Sequence, residues 1–577
     1  MRLNKTKEDN GIKLLSLTFI LLFIVFTIRL FYIQIYSHNS FKKRAQNQQV
    51  SKKIIESQRG EIFSNDGFVL ATNNVSYLLS IDPSITKNLN ENLKKISEKI
   101  SFKNQEELDS FLKKGDSIDK NLKYYVLKKN LTQDEKNQIQ ELNLVGVNFE
   151  KQFKRFYPEG DLATSVLGFV ASSKEESQKG YYGIEGRNDQ LLKGRSGRLI
   201  YEKGASGQQI LFGDYDKQDS INGDSIVLTL DRSVQYTIEK RLKEGVLKYG
   251  ATSGQVIVMN PVTGDILGMA NFPSYDPYDP YKEFLDEEKK IKSEIRNKSI
   301  SDNIEPGSVI KPHTIAIALD LGLISQDFEF YDDGPMKLYE DTIDNWDKKH
   351  IGKANLETLL QKSNNIGASI IGLKVGAENF QKYLGKFGFG RSTDIGLEGE
   401  ERGGVKPGYW SPMDVATVSF GQSFTATPLQ VLTSYNVFLN EGNLVKPKII
   451  KQIIKDDGTK VDYPNMIEKG VLKKDTANFM NKILTTSFAN NESKYFNLKK
   501  YSIGGKTGTA QIFEDGKYQL DKTNAIFVGY LTDSKKFSMI VRLEKPTSST
   551  FAAETAVPLW MDIASDLVNY YNIPADF

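Results

Sequence analysis

The sequence predicts an α+β protein, an antiparallel sheet with helices on its faces, carried behind an apolar N-terminal segment and an intervening region. Three observations predict this. Leu14–Ile33 (LLSLTFILLFIVFTIRLFYI) is a 20-residue run whose only charge is Arg29. Strand-like runs cluster at two distant places, Gly254–Ala270 and Tyr501–Leu543. Helical patterns fill residues 306–440 between them. A chain of 577 residues is also long enough for about three or four domains of ordinary size.

As a helix the apolar run spans about 30 Å, the thickness of a bilayer's hydrocarbon core. Arg29 lies near its end and can snorkel to the headgroups, with Phe31 and Tyr32 as interfacial aromatics. The run has no polar face, which argues against a core helix. No small-x-small site follows it, which argues against a cleaved signal peptide. It reads as a retained transmembrane helix over residues 14–36, behind a tail of residues 1–13. Arg2, Lys5, Lys7 and Lys13 precede it, while Lys42, Lys43, Arg44, Lys52 and Lys53 follow, so charge alone leaves the orientation open. No second run of that length occurs, which puts roughly 540 residues on one side of the membrane.

Residues 38–225 mix short strands, turns and Lys/Asn/Glu-rich helices. The charge runs at 85–120 and 130–142 read as solvated helix faces. The texture changes near Asp224 and opens a domain over residues 226–577. Ser225–Leu230 (SIVLTL) precedes a helical pattern that begins at Asp231. Gly254–Asn260 and Ile266–Ala270 form a hairpin about the turn Pro261–Asp265. Tyr501–Phe513, Asn524–Leu531 and Phe537–Leu543 add strands, and Thr532–Lys536 is short enough to join antiparallel neighbours. A helix from about Ala552 to Tyr571 follows.

Composition removes several kinds of chemistry. Lys plus Arg number 76 against 73 for Asp plus Glu, a net charge of +3, which gives no argument for nucleic acid. Cysteine is absent, which excludes disulfides, thiolate nucleophiles and Cys-ligated metals. The three histidines, His38, His313 and His350, argue against a poly-histidine metal site. No cofactor or metal is expected.

Three short segments carry candidate chemistry. In Glu305-Pro306-Gly307-Ser308-Val309-Ile310-Lys311-Pro312, Pro312 is tolerable only near a helix start, so Ser308 lies in or beside a first turn. Lys311 is three residues on, on the same face. A hydroxyl needs a base to become a nucleophile, and a neutral amine one turn away can serve. The positive end of the helix favours a developing oxyanion. Lys362-Ser363-Asn364-Asn365 offers a hydroxyl for proton relay and an amide for a substrate carbonyl, or simply a helix N-cap. Gly504-Gly505-Lys506-Thr507-Gly508-Thr509-Ala510 lies in a strand, where glycine weakens structure unless something approaches closely. A ligand along that edge would explain the glycines, with Lys506 and Thr507 to hold a carboxylate. A Walker A phosphate loop needs a helix next, and the strand-like TAQIF that follows argues against one.

Each segment alone is weak. Together, in this order and separated by 55 and then 143 residues, they match the Ser-x-x-Lys, Ser-Asp-Asn, Lys-Thr-Gly set, with Ser-Asn-Asn as the middle element, where Ser363 and Asn365 keep their places. With them the chain resembles a class B penicillin-binding protein over nearly its whole length. Arg59-Gly60-Glu61-Ile62-Phe63 through Asn65-Asp66-Gly67 to Leu70-Ala71 is similar to the family's first N-terminal element. Arg155-Phe156-Tyr157-Pro158, Leu167-Gly168-Phe169 and Gly183-Ile184-Glu185 resemble its later pedestal motifs. Ala270–Pro277, Arg296-Asn297 and Thr427-Pro428-Leu429-Gln430 fit its catalytic domain. Phe63-Ser64 and Ile300-Ser301-Asp302 depart from the usual pattern, away from the catalytic set.

The resemblance implies the penicillin-binding transpeptidase and serine β-lactamase-like fold, with residues 38–225 as a pedestal or dimerisation domain and 226–577 as the transpeptidase domain. It implies a D,D-transpeptidase that cross-links peptidoglycan stem peptides ending in D-Ala–D-Ala, anchored once in the plasma membrane with its catalytic domain outside. Ser308 would be the nucleophile, Lys311 its base and Ser363 the proton relay. Asn365 would bind the substrate peptide, Lys506 and Thr507 its carboxylate, and Gly508 and Thr509 would line the same strand. The backbone N–H groups of Ser308 and Thr509 would form the oxyanion hole. β-Lactams would acylate Ser308. A polytopic membrane glycosyltransferase and division or elongation proteins would be partners, and no nucleic acid. The short length, compact pedestal and KTGTA strand look more like the division-specific type than the elongation-specific one, and an end at Phe577 argues against appended wall-binding repeats. A β-lactamase or β-lactam sensor would not need residues 38–225, and a non-catalytic division scaffold would not need the intact reactive residues. A Ser–His–Asp hydrolase would need His313 or His350, and His313 is off the face of Ser308.

Overall fold

The computed structural model describes residues 5–42, 50–171, 178–202, 215–280, 295–490, 498, 500–514 and 517–576. Arg2, Lys43 and Arg44, which flank the apolar run, lie outside the described residues. The chain divides into two compact units, Met1–Ser57 with Gly194–Asn222, and Gln58–Lys193 with Gly223–Phe577.

In the first unit the helix Lys5–Phe31 passes into a π-helical stretch, Tyr32–Tyr36. Its portion Gly11–Tyr36, 26 residues, is long and apolar enough to cross a membrane, and none of it is buried against protein. The Thr18 and Thr27 hydroxyls donate to the carbonyls of Leu14 and Phe23, so these polar groups are satisfied within the helix, as hydrocarbon requires. Val50–Ile55 pairs antiparallel with Gly197–Glu202, whose other edge takes Tyr215–Gln218.

The second unit holds two main sheets. The first has seven strands and joins Ile62–Phe63, Val69–Ile81, Tyr125–Leu131 and Val147–Phe156 to Ser225–Leu228, Ile450–Ile454 and Lys460–Asp462. Beside it, helices Leu89–Ser97, Gln105–Ser117 and Gln133–Gln140 turn Leu93, Ile96, Phe111 and Ile139 inward and their charges outward. Three of the N-terminal motifs meet in a buried ion cluster. The fully buried Glu185 carboxylate accepts from Arg59 Nε and Arg155 Nε, each at 2.6 Å, while Arg59 Nη1 reaches Asp189 at 2.7 Å. Arg155 also donates to the Gly60 carbonyl at 2.8 Å.

The second sheet has five strands: β1 (Ser253–Met259), β2 (Ile266–Phe272), β3 (Ile503–Glu514), β4 (Lys517–Leu531) and β5 (Ser538–Glu544), in the order β2-β1-β5-β4-β3. All pairings are antiparallel, with Ser253 opposite Glu544 and Lys506 opposite Val528. Alternation decides which face each side chain takes. Val256, Val258, Phe527 and Val541 pack under helices α1 (Arg232–Tyr249) and α5 (Ala556–Tyr570). Ile257, Met259, Ile526, Val528 and Ile540 face the larger core beneath α2 (Lys311–Asp320) and its neighbours α3 (Leu356–Lys362) and α4 (Asn365–Val375). Asp231 starts α1 by accepting from the N–H groups of Ser233 and Val234. This is the predicted α+β arrangement, with β3 left as the edge strand beside the helical layer.

Candidate active site

The nucleophile segment is built as the spacing requires. Gly307–Ile310 is a 3₁₀ turn that runs straight into α2, with Pro312 in the first helical turn. The Lys311 N–H bonds the Ser308 carbonyl, and three residues make one turn of such a helix, so Ser308 and Lys311 lie on one side. The turn is held from behind by the Tyr435 hydroxyl, which donates to the Val309 carbonyl at 2.6 Å. Ser308 is half-buried and its hydroxyl has no hydrogen-bond partner among the described residues, whereas Lys311 is fully buried.

Ser363 lies at the end of α3 with φ 52°, a left-handed conformation that costs a non-glycine residue free energy. The N-cap of α4 is the next residue, Asn364, whose Oδ1 accepts from the Gly367 N–H at 2.7 Å. Ser363 closes α3 through its backbone N–H, which reaches the Leu360 carbonyl at 3.3 Å, but does not cap α4, and its hydroxyl is turned to the two lysines. Lys311 Nζ lies 3.1 Å from Ser363 Oγ and donates to Asn365 Oδ1 at 2.7 Å and to the Ser363 carbonyl. Lys506 Nζ lies 3.2 Å from the same Oγ, and 3.1 and 3.3 Å from the carbonyl and hydroxyl oxygens of Thr507. Burial first, and the neighbouring Lys506 charge second, hold the Lys311 amine well below the ordinary lysine pKa.

The three segments thus meet around one hydroxyl. Thr507 is half-buried, Gly508 buried and Thr509 exposed, with the Thr509 hydroxyl accepting from the Ala552 N–H at 3.2 Å. Gly508 is where β3 passes the nucleophile turn: a Cβ there would lie 3.0 Å from both the Pro306 carbonyl oxygen and Val309 Cγ1. The glycine pair Gly504-Gly505 has a different cause from the one expected. A Cβ on Gly504 would meet the Tyr530 ring at 2.5 Å, and one on Gly505 the Phe527 ring at 2.7 Å. Aromatic packing from β4, not a ligand, requires these two glycines.

Asn365 differs from expectation in what its amide already does. Its oxygen accepts from Lys311 and its nitrogen donates to the Asp344 carbonyl at 3.0 Å. The histidines play no part in activating Ser308. His313 is fully buried among Phe387, Phe389, Tyr435 and Phe438, 2.9 Å from Ser434 Oγ, with burial driving its pKa down to about 3. His350 bonds Asp332 instead.

Sequence reasoning missed the residues behind and above the site. Asp332 is fully buried and accepts from Asn364, Asn345 and His350. Trp346 donates from Nε1 to the Lys362 carbonyl and meets Phe551 edge-on with centroids 5.4 Å apart. Phe551 precedes Ala552, which is tied to Thr509, so the two rings connect the Ser363 side of the site with β3. None of these residues belongs to a short motif.

Comparison with known proteins places these observations. Residues 254–565 match the model for a penicillin-binding protein transpeptidase domain, and residues 54–228 that for a penicillin-binding protein dimerisation domain. The chain is 27% identical over 573 residues to the stage V sporulation protein D of Bacillus subtilis, covering 98% of this chain and 86% of that one. It is 27% identical over 574 residues to the peptidoglycan D,D-transpeptidase FtsI of Buchnera aphidicola, covering 98% and 95%. A crystal structure of a peptidoglycan synthetase from Bifidobacterium adolescentis superposes with TM-score 0.72 at 25% identity, over 92% of this chain and 98% of that one.

Proposed function

Because the chain belongs to the penicillin-binding protein transpeptidase family, we infer that it is an acyl-serine peptidoglycan D,D-transpeptidase. The observation that carries this reading is the convergence of Lys311 and Lys506 on the Ser363 hydroxyl, beside a half-exposed Ser308.

The chemistry follows from the protonation states this arrangement favours. A neutral Lys311 keeps two N–H bonds for carbonyl acceptors, here those of Ser363 and the Asn365 side chain, and turns its lone pair to a hydroxyl. It takes the Ser308 proton as Ser308 Oγ attacks the carbonyl between the two D-alanines. As the C–N bond breaks, Ser363 passes its proton to the leaving nitrogen and is reprotonated by Lys311, so D-alanine departs with Lys311 neutral again. The acyl-enzyme then reacts with an amine of a second stem peptide, which returns Ser308 to the hydroxyl form. The donor peptide lies along the edge of β3, where Lys506 and Thr507 hold its terminal carboxylate. Gly508 and Thr509 line the same stretch of β3 beside it. The remaining N–H of the Asn365 amide meets the peptide, and the backbone N–H groups of Ser308 and Thr509 receive the oxyanion. β-Lactams present a strained amide and a carboxylate to the same groups and stop at the acyl-enzyme.

The proposal extends to the whole chain: a tail over 1–13, a span over 14–36, a pedestal over 38–225 and the transpeptidase domain over 226–577. Membership of the family supports placing the catalytic domain outside the plasma membrane, next to a polytopic glycosyltransferase that supplies glycan strands. The relative named for FtsI supports a septal role. Labelling the membrane-extracted chain with a fluorescent penicillin and mapping the adduct tests the reading. One labelled peptide carrying Ser308 is expected, and no labelling, or a label on another residue, overturns it.

A further inference from the structure

The turn that carries Ser363 and Asn365 is held by a carboxylate the catalytic reading does not use. Asp332 ends the strand Glu329–Asp332 and is fully buried. Its Oδ2 accepts from Asn364 Nδ2 at 2.6 Å, Asn345 Nδ2 at 2.9 Å and the Ile351 N–H at 3.3 Å, and its Oδ1 lies 2.9 Å from His350 Nδ1. Burial alone would raise the Asp332 pKa, yet these donors hold it below the ordinary aspartate range. Facing a carboxylate, His350 Nδ1 carries the proton.

Two of those donors continue toward the catalytic groups. Asn364 is the residue between Ser363 and Asn365, and its other amide atom caps α4. Asn345 uses its oxygen to accept the Asn365 backbone N–H at 2.9 Å, and the carbonyl of its neighbour Asp344 accepts from the Asn365 side chain. Asn365 in turn accepts from Lys311. A left-handed serine persists only where its surroundings over-determine it, and these bonds do so on the side away from solvent. His350 is the outer member: its side chain is 27% exposed, with Nε2 3.7 Å from the Asp344 carboxylate.

We propose that Asp332 and His350 are a positioning pair for this centre: His350 orients the buried carboxylate, which fixes the Ser363–Asn365 turn through Asn364 and Asn345 and so sets the aim of Lys311. Neither residue touches substrate. The inference rests on Ser308 being the residue acylated, and its test separates the two. If that reading fails, the wild-type protein is not acylated at Ser308; if only the pair fails, the wild type reacts and its variants react equally well.

The experiment measures acylation of the full chain in detergent by a fluorescent penicillin, resolved into the dissociation constant of the initial complex and the acylation rate constant. The variants are His350→Leu, His350→Asn and Asp332→Asn, each with its thermal unfolding curve. His350→Leu removes the donor at a partly exposed site, where folding is retained. Its acylation rate constant should fall about tenfold, the effect of one lost bond to a charged group, with the dissociation constant within about twofold of wild type. His350→Asn puts an amide N–H where Nδ1 stood and should recover most of that loss, which a purely structural role for the ring would not produce. Asp332→Asn presents a donor to donors and should lose more than His350→Leu; if it does not fold, the His350 pair decides. A wild-type acylation rate constant in His350→Leu, an asparagine variant as slow as the leucine one, or a loss confined to the dissociation constant overturns the proposal.

Discussion

Lys311 and Lys506 direct their amines at the same oxygen, Ser363 Oγ, from 3.1 and 3.2 Å. Two full positive charges that close to one hydroxyl repel. Burial first and the Lys506 charge second hold the fully buried Lys311 amine well below the ordinary lysine pKa, which suits it to act as the base and leaves Lys506 to meet a carboxylate.

This division of labour sets the pH dependence. Lys311 acts as base only when neutral, and its pKa is depressed, so acylation by a β-lactam should rise with pH through the lowered value and then level off. Removing the like charge in Lys506→Met should raise the Lys311 pKa and move the acidic limb to higher pH. The shift is partial, because burial is the larger cause and stays. Acylation rate against pH for both proteins checks this, and a limb that moves to lower pH refutes the pairing.

Ser308→Ala removes one oxygen from a half-buried position. Penicillin labelling should vanish while thermal unfolding changes little. Labelling at the wild-type level would remove Ser308 from the mechanism.

Ser363 combines strain with function. Ser363→Gly relieves the left-handed backbone, whereas Ser363→Ala keeps it. The glycine variant should be more stable than the alanine one by about 1 kcal/mol, and both should acylate slowly because both lack the hydroxyl. Denaturant unfolding with parallel labelling measures the two effects separately.

Gly508→Ala tests the close passage of β3 over the nucleophile turn. The added methyl, about 3.0 Å from Pro306 O and Val309 Cγ1, must push the strand outward. A displacement of a few tenths of an ångström between Ser308 and the carboxylate-binding residues should slow acylation by up to about tenfold. An unchanged rate would show that the turn yields without cost.

Within the residues that match the dimerisation-domain model, Glu185→Gln removes the carboxylate shared by Arg59 and Arg155 and leaves two buried guanidinium groups short of charge. Breaking a buried ion pair in this way costs about 3–5 kcal/mol, to be read from thermal unfolding. The mapped acylation site should stay at Ser308 in whatever fraction remains folded.

How much of this was legible follows from distance along the chain. Ser308 with Lys311, and Lys506 through Thr509, are local patterns because one turn or one strand presents each of them. The five strands of the catalytic sheet were legible from their apolar runs and the short connections between them. The support of the Ser363 turn was not, since Asp332, Asn345 and His350 are single polar residues whose contact with the turn exists only after folding. The glycine pair misled for a related reason: Tyr530 and Phe527, the rings that demand it, belong to another strand. The pairing of Ser225–Leu228 with both Ile62–Phe63 and Ile450–Ile454 likewise leaves no local mark.

The order of strands in the catalytic sheet has a consequence for biogenesis. The central strand, β5, lies between β1 and β4, yet β1 leaves the ribosome long before it. While the intervening helices are being made, the β1–β2 hairpin has no partner on its inner edge, and an unpaired strand edge invites pairing with other chains. Closure of the sheet is a non-local event of high contact order that comes late in synthesis, and such closures are slow. Until β5 arrives, the nascent catalytic domain therefore depends on whatever shields that edge.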